Sequence, residues 1–363
     1  MKSAIRFTAL AGVAALTLAA CGTAPEETGG TDESAAPESD FSACIVSDQG
    51  GFDDKSFNQL SYEGAKKAAE ELGAGFNEVQ STSATDFAPN LQSLVDESCD
   101  TIVSVGFALS ADTVESANAN PETHYVIVDD AADNDFDGET DAPNIKPLLY
   151  NTAEAAFLAG YLSAGYSEAG KVGTFGGAPY PTVTIFMDGF KQGVEYYNEA
   201  NDAEVEVIGY EGGEEGAFTG DFVANETAKT TATNILDQGV DVILPVGGPI
   251  YQSAIAAIED SGRDVALIGV DADFYESDPT TQPYVLTSIL KAMDLSTYEA
   301  VMASGQDSFD PTAYVGTLEN EGVGIAPLHD FESKVDPALW EETMALKDQI
   351  VSGEVTVTSY LDQ

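Results

Sequence analysis

Short apolar runs alternate with longer amphipathic stretches from Ala43 onward. Ala43–Ser47 reads as a strand and Phe57–Leu72 as a helix, with Leu60, Gly64, Ala68 and Leu72 on one face. Gly75–Gln80 is a strand, Phe87–Glu97 has helical spacing, Thr101–Val105 is a strand, Ala111–Ala119 a short helix and His124–Val128 a strand. Pro143–Tyr150 is extended and Thr152–Ala164 helical. The alternation then restarts, with strands at Lys171–Phe175, Val205–Tyr210, Val242–Val246 and Val265–Val270. Helices fall between them at Val183–Asn198, Ala224–Gln238 and Ile250–Asp260. Tyr284–Leu290 is a further strand, Met293–Ser304 a helix, Gly322–Pro327 extended and Pro337–Ser352 a helix. Such alternation builds parallel sheets with helices on both faces. The predicted class is α/β: two Rossmann-like lobes with parallel sheets, joined by a multi-strand hinge. The expected N-terminal lobe is 41–150 plus about 275–312, and the C-terminal lobe 151–274 plus about 313–363. A length of 363 residues suits two domains.

The first forty residues break this pattern. Lys2 and Arg6 precede an apolar run, Phe7–Ala20, which ends in Leu18-Ala19-Ala20-Cys21. That order marks a signal peptide over 1–20, and its ending resembles a bacterial lipobox. Cys21 is then the expected lipidation site, although an ordinary signal peptide with an incidental cysteine is the other reading. Residues 21–40 are rich in Gly, Thr, Ser, Pro and acid, as in a flexible tether. The expected location is extracytoplasmic, lipid-anchored to the bacterial cell membrane. No later run approaches the ~18 apolar residues of a membrane span.

Charge narrows the partners. Asp plus Glu number 63 and Lys plus Arg 13, a formal net charge of −50. Such a surface repels nucleic acid and anionic lipid. His124 and His329 are the two histidines, and no Cys/His spacing, Walker loop or Gly-x-Ser-x-Gly elbow is present. No metal or cofactor is expected, and a binder is favoured over an enzyme. Cys44 and Cys99 each stand at or just before the start of an apolar run. If those strands are parallel neighbours, the cysteines can form a disulfide; the alternative is two buried thiols.

The most informative stretch is Asp48-Gln49-Gly50-Gly51-Phe52-Asp53-Asp54-Lys55-Ser56-Phe57-Asn58-Gln59, a glycine-bearing loop between a strand and a helix. In open α/β sheets, ligands sit beyond the carboxyl ends of strands. By itself the stretch also reads as a surface turn with a capped helix. With Tyr62-Glu63-Gly64 after it, it resembles the basic membrane protein family, the purine-nucleoside-binding lipoproteins of ABC transporters. Asp86-Phe87-Ala88-Pro89-Asn90-Leu91, Glu154-Ala155-Ala156-Phe157-Leu158-Ala159-Gly160, Asp237-Gln238-Gly239-Val240-Asp241 and Ile268-Gly269-Val270-Asp271 extend the resemblance. It runs from about Cys44 to Pro327. It implies a type I solute-binding fold in which Phe57 and Phe186 sandwich a nucleobase. Asp48, Asn58 and Asp129 would bond around the base, and Gly247 or Gly248, Asp271 and Lys291 would hold the ribose. The chain departs from the family where Gly247-Gly248 precede Pro249-Ile250 rather than Thr-Gly, and in its acidic loop Gly212–Phe222.

The residue chemistry agrees with such a ligand. Aromatic rings stack on any base, so selectivity must come from polar edges. A guanine or hypoxanthine edge offers a ring N–H to Asp129, where adenine presents an unprotonated nitrogen. Guanosine and inosine are therefore expected over adenosine. The excess of acid disfavours phosphate, so nucleosides are expected over nucleotides. The implied partners are a purine nucleoside and an ABC transporter permease, with the chain a monomer. A sugar or small signal molecule on the same fold is the alternative. A nucleoside hydrolase would need a clustered acid site, and a ligand-binding repressor a basic DNA-binding head.

Overall fold

Residues 39–362 are described by the computed structural model of the chain. The expected signal peptide, Cys21 and nearly all of the tether lie outside them. The first half runs β1 (Ser42–Val46), α1 (Phe57–Leu72), β2 (Gly75–Val79), α2 (Phe87–Asp96), β3 (Thr101–Val105), α3 (Ser110–Ala119), β4 (His124–Val128) and β5 (Ile145–Tyr150). The second runs α4 (Thr152–Tyr166), β6 (Lys171–Gly176), α5 (Pro181–Asn201), β7 (Glu206–Ile208), β8 (Tyr210–Gly212), β9 (Glu215–Gly216), α6 (Glu226–Leu236), β10 (Val242–Val246), α7 (Ile250–Ser261) and β11 (Ala266–Asp271). Then come α8 (Phe274–Ser277), β12 (Val285–Lys291), α9 (Met293–Gly305), β13 (Tyr314–Gly316), β14 (Val323–Ile325) and α10 (Pro337–Val351).

Two six-stranded sheets result, ordered β13-β5-β4-β3-β1-β2 and β14-β12-β11-β10-β6-β7. All neighbours are parallel except β14, which runs antiparallel to β12. Central strands such as β3 and β10 are buried along their whole length, as sheets covered on both faces require. The expected strand Val205–Tyr210 is interrupted. Gly209 adopts φ +93°, its Cα packed where a Cβ would lie 2.4 Å from the Thr174 carbonyl, and the chain turns there into the small β8–β9 ribbon.

Sheet pairing also moves the lobe boundaries. Val285–Lys291, expected with the N-terminal lobe, continues the second sheet by pairing along β11. Tyr314–Gly316, expected with the C-terminal lobe, pairs along β5 in the first. An apolar strand carries no mark of which sheet edge it will extend, so composition could not decide this. The chain crosses between sheets after β5, after β12 and between β13 and β14. Two of the crossings carry a helix: α4, after β5, packs on α5, and α9, after β12, packs on α1. Glycines permit the approach: a Cβ on Gly64 of α1 would lie 2.1 Å from the Asp294 carbonyl of α9, and one on Gly160 of α4 would lie 2.0 Å from the Phe190 carbonyl of α5.

Parallel pairing of β1 with β3 sets Cys44 opposite Ile102 and brings Cys99 alongside. The two cysteines form a disulfide with Cα atoms 6.0 Å apart, closing a loop of sequence separation 55. Alkylation before intact-mass measurement should leave both sulfurs unmodified until a reductant is added. Reduction should then lower the unfolding free energy by about 2–4 kcal/mol. Ready alkylation of both thiols in the native protein would contradict the bond.

Candidate functional site

β1 ends just before Asp48, and the loop after it is organised by two carboxylates. Asp54 accepts the backbone N–H groups of Ser56 (3.0 Å), Asn58 (2.9 Å) and Gln59 (3.1 Å), an anion at the N-terminus of α1. Asn58 Nδ2 donates to Asp54 (3.0 Å) and to Asp48 Oδ1 (2.7 Å), while its Oδ1 accepts the Asp48 N–H (3.2 Å). Gly50 N–H donates to the same Asp48 oxygen at 2.9 Å. Asn58 thus uses both amide hydrogens within its own loop and holds Asp48 in place. Among the described residues, no hydrogen bond reaches Asp48 Oδ2, which lies beside Phe57 over Gly106. Lys55 pairs with exposed Asp53 and stays out of the cleft.

Corresponding strands of the two sheets supply the next pair. Asp129 follows β4 and Asp271 ends β11, and both are left-handed, with φ 65° and 66°. Lys291 ends β12 and reaches back across the lobes. Its Nζ lies 2.6 Å from Asp129 Oδ2 and 3.5 Å from Asp271 Oδ1. Ser56 of the first lobe donates its hydroxyl to Asp271 Oδ2 (2.9 Å), with the Val270 carbonyl 3.1 Å away. Asp271 Oδ1 is buried and, among the described residues, takes no hydrogen bond. Phe57 opens α1 and Phe186 lies on α5, and the ammonium stands 5.5 Å and 4.8 Å from their ring centroids. Both rings therefore flank one cation contributed by the hinge.

Burial pushes the carboxyls of Asp48, Asp129 and Asp271 above the ordinary carboxylate range, Asp48 to about 6. The Lys291 ammonium pulls Asp129 and Asp271 back toward ionisation. Burial also opposes the charge on Lys291, but Asp129 and Asp271 outweigh it and keep the amine protonated.

All nine ligand-binding residues expected from the sequence, Asp48, Phe57, Asn58, Asp129, Phe186, Gly247, Gly248, Asp271 and Lys291, line one cleft of about 290 Å³. Five aspartates line it, with Lys291 the one cation among the described lining residues. Gly247 makes room as well as wall: a Cβ there would sit 3.0 Å from the Phe222 ring. Sequence reasoning missed Phe107, Tyr180, Thr182 and Phe222, which also line the cleft. They come from loops and a helix start, where no periodicity flags a residue; Thr182 Oγ1 is buried there with no hydrogen-bond partner among the described residues. Elsewhere, Asp133, Asp135 and Asp141 bring carboxylate oxygens within 4.8 Å of one another in the β4–β5 loop. All three of these acids accept loop amides, Gly138 N–H on Asp133, Asp137 N–H on Asp135 and Asn134 N–H on Asp141.

A sequence model of the Bmp family, ABC transporter substrate-binding proteins that are PnrA-like, matches residues 41–359. The chain belongs to this family. It is 28% identical over 357 residues to a CD4+ T-cell-stimulating antigen of Listeria innocua, covering 94% of each chain. It is 26% identical over 340 residues to the ABC transporter nucleoside-binding protein BmpA of Lactococcus lactis, covering 89% of this chain and 90% of that one. A crystal structure of an ABC transporter solute-binding protein from Aeropyrum pernix superposes with a TM-score of 0.76 at 26% identity, over 88% of this chain and 93% of that one. Among the described residues, no helix is long and apolar enough to cross a membrane.

The raised Asp48 carboxyl has a definite pH signature. Because its folded value lies above 3.8, its contribution to stability is complete below that pH and is lost as pH rises through about 6. Carbon-detected NMR titration of the ligand-free protein should give Asp48 a midpoint near 6. Relative to Asp48→Asn, the native chain should lose stability across that window. A midpoint at the ordinary 3.8 would contradict the buried setting.

Proposed function

We propose that this chain is a lipid-anchored, extracytoplasmic binding protein that captures purine nucleosides and delivers them to an ABC transporter permease. The observation that carries the reading is the cleft itself. Two aromatic rings from opposite lobes flank a cation already held by carboxylates, and two acceptors, Asp48 Oδ2 and Asp271 Oδ1, take no hydrogen bond among the described residues. In this reading the base stacks between Phe57 and Phe186. Its N–H donors meet Asp48 and Asp129, with Asn58 acting through Asp48. Ribose hydroxyls donate to Asp271, balanced by Lys291, and approach the Gly247-Gly248 backbone. Guanosine and inosine are preferred because a 6-oxopurine brings a ring N–H to the carboxylates. Nucleotides are excluded, since a phosphate would meet five aspartates and a lysine already paired. The nucleoside-binding relative from Lactococcus lactis supports the ligand class.

The chain is read as a monomeric carrier rather than an enzyme: neither histidine lines the cleft. Leu18-Ala19-Ala20-Cys21 supports acylation at Cys21, where more than one acyl chain would give stable membrane attachment.

Calorimetry with guanosine, inosine, adenosine, cytidine and ribose tests the reading. Guanosine and inosine should bind, adenosine at least about tenfold more weakly, and ribose not measurably. Heat with ribose and with no nucleoside would favour a sugar carrier instead. Asp129→Ala should weaken guanosine about ten- to a hundredfold more than it weakens adenosine, the range of a hydrogen bond to a charged group, because the loss of the Lys291 partner is common to both ligands. An unchanged ligand ranking would contradict the edge assignment.

A further inference from the structure

A third aromatic ring stands against the Lys291 ammonium. Besides facing Phe57 and Phe186, Nζ lies over the ring of Tyr150, 5.5 Å from its centroid. Tyr150 ends β5 of the first sheet, and Lys291 ends β12 of the second. The tyrosine is 1% exposed and is not among the residues that line the cleft. It therefore meets the cation without meeting the ligand.

That ring is held by its surroundings. Its hydroxyl is 2.6 Å from the Ser296 hydroxyl on the first turn of α9. Ser296 N–H in turn donates to the carbonyl of Ala292, the residue directly after Lys291. A Cβ on Gly316 of β13 would lie 2.8 Å from the Tyr150 ring, so the strand paired along β5 packs directly on it. Asp129 shares the same support, since its N–H donates to the Leu148 carbonyl of β5 at 2.8 Å. Phe57 and Phe186 cannot hold the cation throughout. In the capture reading their faces turn to the base, whereas Tyr150 keeps its face on the ammonium whether the cleft is empty or filled.

We propose that Tyr150 is a positioning residue: its ring holds the Lys291 ammonium by a cation–aromatic contact and so sets how strongly the cleft grips ribose hydroxyls. A buried ammonium is costly to keep charged, and an electron-rich ring face stabilises it where water is excluded. Asp271 accepts from the sugar as a carboxylate only while Lys291 stays beside it and balances its charge. Loss of the ring's hold therefore acts on the ribose contacts and leaves the stacking of the base in place. The inference rests on the capture reading proposed above.

Fluorination tests it with little change of shape, because each fluorine withdraws electron density from the ring face. Tyr150→Phe in the full chain is the reference, compared with difluoro- and trifluorophenylalanine at the same position. Calorimetry is run with guanosine and with dideoxyguanosine, which lacks the vicinal ribose hydroxyls. The preference for guanosine should fall as fluorines are added, by about two- to thirtyfold in all, the range of one cation–aromatic contact. A constant preference would overturn the proposal, even if both nucleosides weaken together, because a ring that only fills space affects both alike. A second readout needs no ligand. Competitive acetylation, read by peptide mass mapping, should label Lys291 faster as fluorines accumulate, and an unchanged rate would overturn the proposal even where guanosine binds. If the reference chain binds no nucleoside, the capture reading fails, and the labelling order alone decides whether Tyr150 holds Lys291.

Discussion

The buried ammonium of Lys291 is the constraint around which the cleft is arranged. It originates in the second sheet, pairs with Asp129 of the first, and stands beside Asp271 of its own. Neither charge is sustainable alone in that setting. Breaking a buried pair by removing one partner typically costs about 3–5 kcal/mol, because the remaining charge stays out of water. The pair therefore couples the position of one lobe to that of the other. Ser56 adds a second polar link by donating to Asp271. Both links lie beside the crossings.

The same constraint shapes the chemistry left for a ligand. Lys291 is occupied, so the cleft offers acceptors in excess and little positive charge. A neutral molecule with N–H and O–H donors fits that surplus, and an anion does not. The loop from Asp48 to Gln59 divides its work accordingly. Asp54 caps the helix, Asn58 fixes Asp48, Ser56 reaches the other lobe, and Phe57 presents a face. Several residues in the stretch thus act on their neighbours, holding the loop in shape.

Much of this was legible before any coordinates. Strands such as Thr101–Val105 and Val242–Val246 are continuous apolar runs between polar segments, and helix α1 follows its four-residue spacing, so element type and order came through. The nine cleft residues were legible because they follow strand ends or match a recognisable motif. Other features depend on contacts between distant positions. Strands β12 and β13 go to sheets that their own composition does not name. Asn58 uses both amide hydrogens inside its own loop and holds Asp48 from ten positions away, a contact that composition does not name. The ion pair joins residues 162 positions apart, and Phe107, Tyr180 and Phe222 lie in loops or at a helix start without periodicity.

The most direct test of the account is a crystal structure of the chain with guanosine. The account predicts the purine between the rings of Phe57 and Phe186, a ring N–H directed at Asp48 or Asp129, and a ribose hydroxyl within hydrogen-bond distance of Asp271 Oδ1. A base lying outside that slot, or a sugar between the two rings with the base directed to solvent, would contradict it.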